Sequence, residues 1–481
     1  MYISTGGYKI VCKICLSFHW RLRHTENHNQ ISAKCFHIVV HILDAHPIES
    51  VLHTEPLADT ADKLRSNDVD LGSYFEELKG RMEDVEPEIE SFVSEKDRWS
   101  RIDQRVNLIQ EQYPKVENRP PLYGVPIGVK DIFHVSGMAT KAGSKLPADL
   151  LTEAEASAVT KLKQAGAVVL GKTVTTEFAH MSPGPTRNPH KKEHTPGGSS
   201  SGSAAAVAAG LCPMAFGTQT IGSVIRPASF CGIVGYKPSY GRISKDGVIP
   251  LSTSVDHVGT FTQDTEGTEL VASLLCDSWR PLPSPIDTPT LGIPEGPYLE
   301  QATEEGLEAY ENAVDNLSKA GYDVVRLDVF EDINEINTRH EQLIAADAAV
   351  AHEDWYRVHA DDYAKETKQL VEEGLEATMK TVAVGRQGRI ELRDSLTEIM
   401  DEHDIDMWIA PAAPGPAPAG IDSTGDPVMN LPWTHSGLPT VTVPAAKSDE
   451  GLPIGVQCSG RFGADEDVIR WMHGVEAVVS P

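Results

Sequence analysis

Between Thr195 and Ser223 the chain reads TPGGSSSGSAAAVAAGLCPMAFGTQTIGS, two serine-bearing glycine turns on either side of a run of small residues. Glycine permits backbone angles closed to other residues, and the free N–H groups of a following helix point back at the turn that opens it. The first turn, Gly197-Gly-Ser-Ser200, leads into a helix expected over residues 204–209. The second, Gly217-Thr-Gln-Thr-Ile-Gly-Ser223, can aim consecutive backbone N–H groups at one point, as an acyl-transfer site requires. Two hydroxyls can therefore meet in one site. A serine is a weak nucleophile without a base, and Ser/Lys pairs substitute for Ser/His pairs. Lys130, in Tyr123-Gly-Val-Pro-Ile-Gly-Val-Lys-Asp131, is the upstream candidate, provided that burial or a neighbouring cation lowers its pKa.

The surrounding pattern favours a helix-covered sheet. Leu57, Ala61 and Leu64, then Leu71, Tyr74, Phe75, Leu78, Met82 and Val85, recur at helical spacing. Further on, short apolar runs alternate with helical segments: helix over 158–165, strand over 167–170, strand over 290–293, helix over 302–320, and strands over 322–327, 407–410 and 440–443. Residues 411–420, rich in Pro, Ala and Gly, read as a loop. We expect one large α/β domain over residues 54–481, with a mixed β-sheet covered by helices on both faces. Residues 1–53 differ, carrying Cys12, Cys15 and Cys35 with His19, His24, His28, His37 and His41. Their spacing lacks a zinc-finger ligand pair, so they read as a poorly ordered extension and no metal is expected.

Charge narrows the partners. Seventy acidic against 42 basic residues give a formal charge of −28, which repels nucleic-acid phosphates and anionic membrane surfaces. No apolar run reaches the roughly 20 residues that span a bilayer. Seven cysteines without a framework pattern read as reduced thiols of a cytoplasmic protein. The residues leave oligomeric state open, a homodimer included.

The segments Gly124 to Asp131, Gly171-Lys-Thr-Val-Thr-Thr-Glu-Phe178, Thr186-Arg-Asn-Pro189, Thr195 to Pro238, Ser254-Val-Asp-His-Val-Gly259 and Gly437-Leu-Pro-Thr-Val-Thr-Val-Pro444 together resemble the amidase signature family. The resemblance implies cleavage of the C–N bond of a small-molecule amide without a cofactor. It implies Lys130 as base, Ser199 as a bridging serine on a cis peptide bond and Ser223 as nucleophile. The N–H groups of Thr220, Ile221, Gly222 and Ser223 would form the oxyanion hole, with Met181 and Ser200 at the substrate.

Three positions depart from the family pattern. Ile221 stands where members commonly have glycine, Gln219 where many have an acid, and Arg226 lies one residue later than the usual arginine. If position 221 needs a positive φ, isoleucine would strain the turn and weaken the hole. Competing readings are a Gly-x-Ser-x-Gly elbow naming Ser200, a family member disabled by Ile221, and the glutamine-amidase subunit of a tRNA-dependent amidotransferase. The elbow must follow a strand, and residues 191–196 are polar. A nucleotide loop lacks its Gly-Lys-Ser/Thr. The stand-alone amidase is the preferred expectation.

Overall fold

The early apolar spacing does form helices. In Leu57–Ser66, the residues Leu57, Ala61 and Leu64 face inward, and Leu71–Ile89 buries Leu71, Phe75, Leu78, Met82, Val85 and Ile89. Asp70 caps the second helix by accepting the Ser73 N–H at 2.9 Å, satisfying one of its orphan donors. These come from a computed structural model that describes residues 51–281 and 287–481. Val51–Pro481 forms one compact unit. The cysteine and histidine cluster of residues 12–41 lies outside the described residues.

Ten strands of the described residues build one mixed sheet. In chain order they are β1 (Pro126–Lys130), β2 (Val168–Thr173), β3 (Met214–Gln219), β4 (Val234–Lys237), β5 (His257–Thr262), β6 (Leu291–Glu295), β7 (Val324–Asp328), β8 (Met407–Pro411), β9 (Thr440–Lys447) and β10 (Pro453–Gly460). Their spatial order is β2-β1-β3-β5-β4-β9-β10-β8-β6-β7. β2, β1 and β3 run parallel, as do β8, β6 and β7 at the other end, and every pairing from β3 through β8 is antiparallel. Strands β1, β2, β3, β5, β8 and β10 are buried along their whole length, as a sheet packed by helices on both faces requires. β7, at the edge, is half exposed.

The expected elements lie close to the observed ones. Helix Ser157–Gln164 and helix Glu304–Lys319 fall within two residues of the sequence reading at each end. β2 runs on to Thr173, beyond the apolar stretch, because its polar end is paired inside the protein. Lys172 Nζ meets Asp131 Oδ1 at 2.8 Å, and Thr173 Oγ1 lies 2.6 Å from Ser203 Oγ. The chain between Ile333 and Glu402, given no elements by sequence, forms helices Ile333–Ala351, Glu353–His359, Lys365–Leu375 and Met379–Glu402.

The sheet positions the serine-rich segment. β1 and β3 are parallel neighbours, with Val129 opposite Phe216, so Lys130 and Thr218 lie together at the carboxyl ends of the two strands. A crevice beyond the carboxyl ends of parallel strands is where α/β sheets hold ligands. Helix Ser201–Ala208 is buried at every position and joins the two turns. Its small residues are a packing requirement: a Cβ on Gly202 would sit 2.1 Å from the Ser91 carbonyl oxygen and 2.4 Å from the Val174 nitrogen. Both obstacles are backbone. Gly202→Ala should therefore destabilise the fold by about 3 kcal/mol, the upper range for overpacking, measured by urea unfolding. A loss below about 1 kcal/mol would mean that the helix shifts freely.

Candidate active site

Lys130, at the end of β1, is fully buried. Its Nζ lies 2.7 Å from Ser199 Oγ and 2.8 Å from Thr218 Oγ1. Burial pushes the ammonium well below its ordinary pKa, and the Asp256 carboxylate only partly opposes this. The environment thus favours the neutral amine. The Gly198–Ser199 peptide bond is cis. The Gly198 carbonyl accepts from Arg226 Nη2 at 2.7 Å, and the same guanidinium donates to the Gly425 carbonyl and Thr424 Oγ1. Arg226 thereby ties the first turn to the helix that follows the second.

The second turn exposes its donors. The N–H groups of Thr220, Ile221, Gly222 and Ser223 take no acceptor among the described residues, whereas those of Val224 and Ile225 both donate to Gln219 Oε1, at 2.8 and 2.9 Å. Gln219 uses its other end to donate to Thr434 Oγ1 at 2.9 Å. The carbonyls of the same turn are all engaged: Thr220 accepts from His340 Nε2 at 2.9 Å, Ile221 from Thr434 Oγ1 at 2.6 Å, and Gly222 from the Arg226 N–H at 3.0 Å. Thr220 Oγ1 donates to Asp256 Oδ1 at 2.6 Å.

Ile221 does not adopt a positive φ. The backbone strain considered from sequence is absent, and its side chain joins two apolar clusters at the cavity wall. Gly222 is the position that excludes a side chain, since a Cβ there would lie 2.3 Å from Asn430 Oδ1.

Ser223 is 8% exposed, and its hydroxyl has no hydrogen-bond partner among the described residues, Ser199 included. It lines a recess with Met181, Ile221, Gly222, Leu251 and Pro427. Met181 and Ile221 also line the adjoining cleft of about 990 Å³. That cleft carries five carboxylates, Glu341, Glu366, Glu373, Glu376 and Asp426, and no lysine or arginine among its lining residues. Burial raises the Glu341 carboxyl, helped by Asp426 and Glu373. A second cavity of about 470 Å³ borders the other side of the turn, against Thr218, Thr220 and Asp256.

Ser200 stays outside the recess. Its hydroxyl is fully buried between the backbone N–H and carbonyl of Thr218, each at 3.3 Å, where it joins the helix start to β3. Trp433 and His435 lie in the interior, against Tyr298 and His340 respectively. Sequence reasoning passed over Thr218, Asp256, His340 and Thr434. Thr218 and Asp256 lie inside quoted segments, and at Thr218 a hydroxyl one residue from the strand end is a readable signal; His340 and Thr434 are single buried polar residues from distant segments.

Comparison with known proteins agrees with this architecture. The Amidase family model matches residues 74–469. Among curated proteins, the chain is 32% identical over 411 residues to a glutamyl-tRNA(Gln) amidotransferase subunit from Koribacter versatilis (strain Ellin345), covering 75% of this chain and 85% of that one. Among solved structures, one described as an amidase superposes with a TM-score of 0.81 at 28% identity, over 89% of this chain and 100% of that one. The native peptide amidase from Stenotrophomonas maltophilia shares the fold, with a TM-score of 0.75 at 23% identity over 90% of this chain and 98% of its own. The chain belongs to the Amidase family, the amidase signature proteins.

Proposed function

We propose that this chain cleaves a carboxamide C–N bond through an acyl-enzyme on Ser223. The observation that carries the reading is the buried Lys130 amine within 2.7 Å of Ser199 Oγ, beside a turn whose four N–H groups are free. Neutral Lys130 takes the proton of Ser199 as Ser199 takes that of Ser223, and Ser223 Oγ bonds to the carbonyl carbon. The oxygen's negative charge falls among the N–H groups of Thr220, Ile221, Gly222 and Ser223. The proton returns through Ser199 to the departing nitrogen as the C–N bond breaks. Water, deprotonated by the same relay, then releases the acid. The Ser199 and Ser223 hydroxyls must close on each other when the amide binds, a tightening common to catalytic hydrogen bonds on substrate binding.

Two observations bear on the amide itself. The curated relatives support glutamine, with ammonia passed to a partner protein in a tRNA-dependent amidotransferase. The cleft favours a neutral or cationic amide, because glutamine's α-carboxylate would meet five carboxylates there. Arg226, which lines the same recess as Ser223, has its guanidinium occupied by Gly198, Thr424 and Gly425.

Ammonia and amine release should be measured across neutral amides, cationic amino-acid amides and glutamine, with Ser223→Ala as control. The expected result is turnover of neutral or cationic amides above glutamine, and a loss of about 10³-fold or more in Ser223→Ala. Glutamine as the best substrate would favour the amidotransferase reading. Full activity in Ser223→Ala would remove the nucleophile.

Because the neutral amine is the active form, kcat/KM should rise with pH through the pKa of Lys130 and then level. The inflection should lie below 10.5, the ordinary lysine value, from which burial lowers this group. A rate that is flat as pH rises, in a wild type that Lys130→Met inactivates, would show that the lysine does not act as a base.

A further inference from the structure

Each peptide plane of the turn before Ser223 is held by its carbonyl and leaves its N–H free. The planes 220–221, 221–222 and 222–223 have carbonyls bound by His340, Thr434 and the Arg226 N–H, while the N–H groups of Ile221, Gly222 and Ser223 have no acceptor among the described residues. A trans peptide is rigid, so fixing the carbonyl direction fixes the opposite N–H direction. A hydrogen bond to the carbonyl also polarises the amide and strengthens its N–H as a donor. The Arg226 contact is local chain geometry, but the other two come from far in sequence.

Both distant contacts run through one short helix, Leu431–Ser436. Thr434 touches Ile221 directly, and His435 Nδ1 lies 3.0 Å from His340 Nδ1, whose ring reaches Thr220. The tautomers of this pair follow from one fact. The Thr220 carbonyl can only accept, so His340 Nε2 carries a hydrogen. Burial keeps both imidazoles neutral, lowering His340 to about 3 and His435 to about 2. His340 Nδ1 is therefore bare and must accept, so the hydrogen between the rings belongs to His435 Nδ1. His435 Nε2 is then bare, and it is buried without a hydrogen-bond partner among the described residues.

We propose that His340 and Thr434, with His435 behind His340, are positioning residues that aim the N–H groups of Ile221 and Gly222 at the oxyanion, an inference that rests on the acyl-enzyme reading above. None of the three touches the reacting atoms. Their effect appears when negative charge develops on the carbonyl oxygen, so their loss lowers kcat and spares KM.

The test pairs a disruptive with a conservative variant at each point. His340→Gln places an amide nitrogen in register with imidazole Nε2, while the shorter His340→Asn falls short of Thr220. Thr434→Ser keeps the hydroxyl and Thr434→Val removes it. His340→Asn and Thr434→Val should lose about 10- to 100-fold in kcat, less than the loss of an oxyanion donor itself, with KM within about 2-fold. His340→Gln and Thr434→Ser should recover most of that loss. Rates of Ser223 labelling by a fluorophosphonate, whose phosphoryl oxygen enters the same hole, should fall and recover in the same order.

Equal damage from His340→Gln and His340→Asn together with equal damage from the two Thr434 variants, an unchanged kcat in the disruptive variants, or an effect confined to KM would each overturn the proposal. Thermal unfolding identifies folded variants, and if His340→Asn fails to fold the Thr434 pair decides alone. A wild type that is labelled at Ser223 yet hydrolyses no amide would defeat the proposed function, while the labelling series would still decide the role of the brace. A wild type that is not labelled would defeat both.

Discussion

A primary amine buried with two hydroxyls, and no carboxylate in direct contact, is the constraint around which the site is organised. Lys130 touches Ser199 Oγ and Thr218 Oγ1 and no acid. Burying an unpaired ammonium costs so much that the group gives up its proton instead. A neutral amine keeps a lone pair, and the lone pair is what a base needs. Direct pairing with Asp131, its sequence neighbour, would have defeated this. Asp131 instead pairs with Lys172 at 2.8 Å, and the adjacent strand supplies that lysine. The ion pair at the next residue thus leaves Lys130 without a carboxylate in direct contact, and both arrangements follow from β1 lying between β2 and β3.

Asp256 shows how near a carboxylate may come. It faces the same region closely enough to oppose the fall in the Lys130 pKa, yet its oxygens are taken by Thr220 Oγ1 and by the Leu251 and Ser252 N–H groups. Three donors hold it against the turn and away from the amine. The carboxylate thereby orients the loop that carries Ser223 and leaves the lysine without a direct counter-ion.

Much of this was legible in sequence, for identifiable reasons. Helices Leu57–Ser66 and Leu71–Ile89 show apolar residues at 3.6-residue spacing because one face packs inward. The two glycine turns stand out because Gly197 takes a φ of 83° and Gly222 has no room for a Cβ, constraints met by one residue type. The first strand, Pro126–Lys130, was harder to see: it is buried on both faces and ends in a lysine, so neither alternation nor composition marks it. The long helices Ile333–Ala351 and Met379–Glu402 pack on one another, and their apolar periodicity is diluted. His340 and Thr434 were invisible for another reason. Their role exists only through contacts with residues 120 and 213 positions away, and a lone buried histidine or threonine has no local signature.

The departures at positions 219 and 221 become intelligible when they are read together. Thr434 has one hydroxyl hydrogen, and Gln219 Nε2 donates to that oxygen at 2.9 Å. The hydrogen is therefore free to go to the Ile221 carbonyl at 2.6 Å, with the Asn430 carbonyl at 3.1 Å as its weaker alternative. A carboxylate at 219 could not donate. It would compete for the Thr434 hydrogen and leave the Ile221 carbonyl without its partner. Glutamine also accepts from Val224 and Ile225 through Oε1, which is the work an acid would do there. The amide side chain thus keeps the acceptor role and adds a donor, and the donor is what directs Thr434 onto residue 221. An isoleucine at 221 without a positive φ, anchored by its own carbonyl, is the form of turn that this glutamine supports.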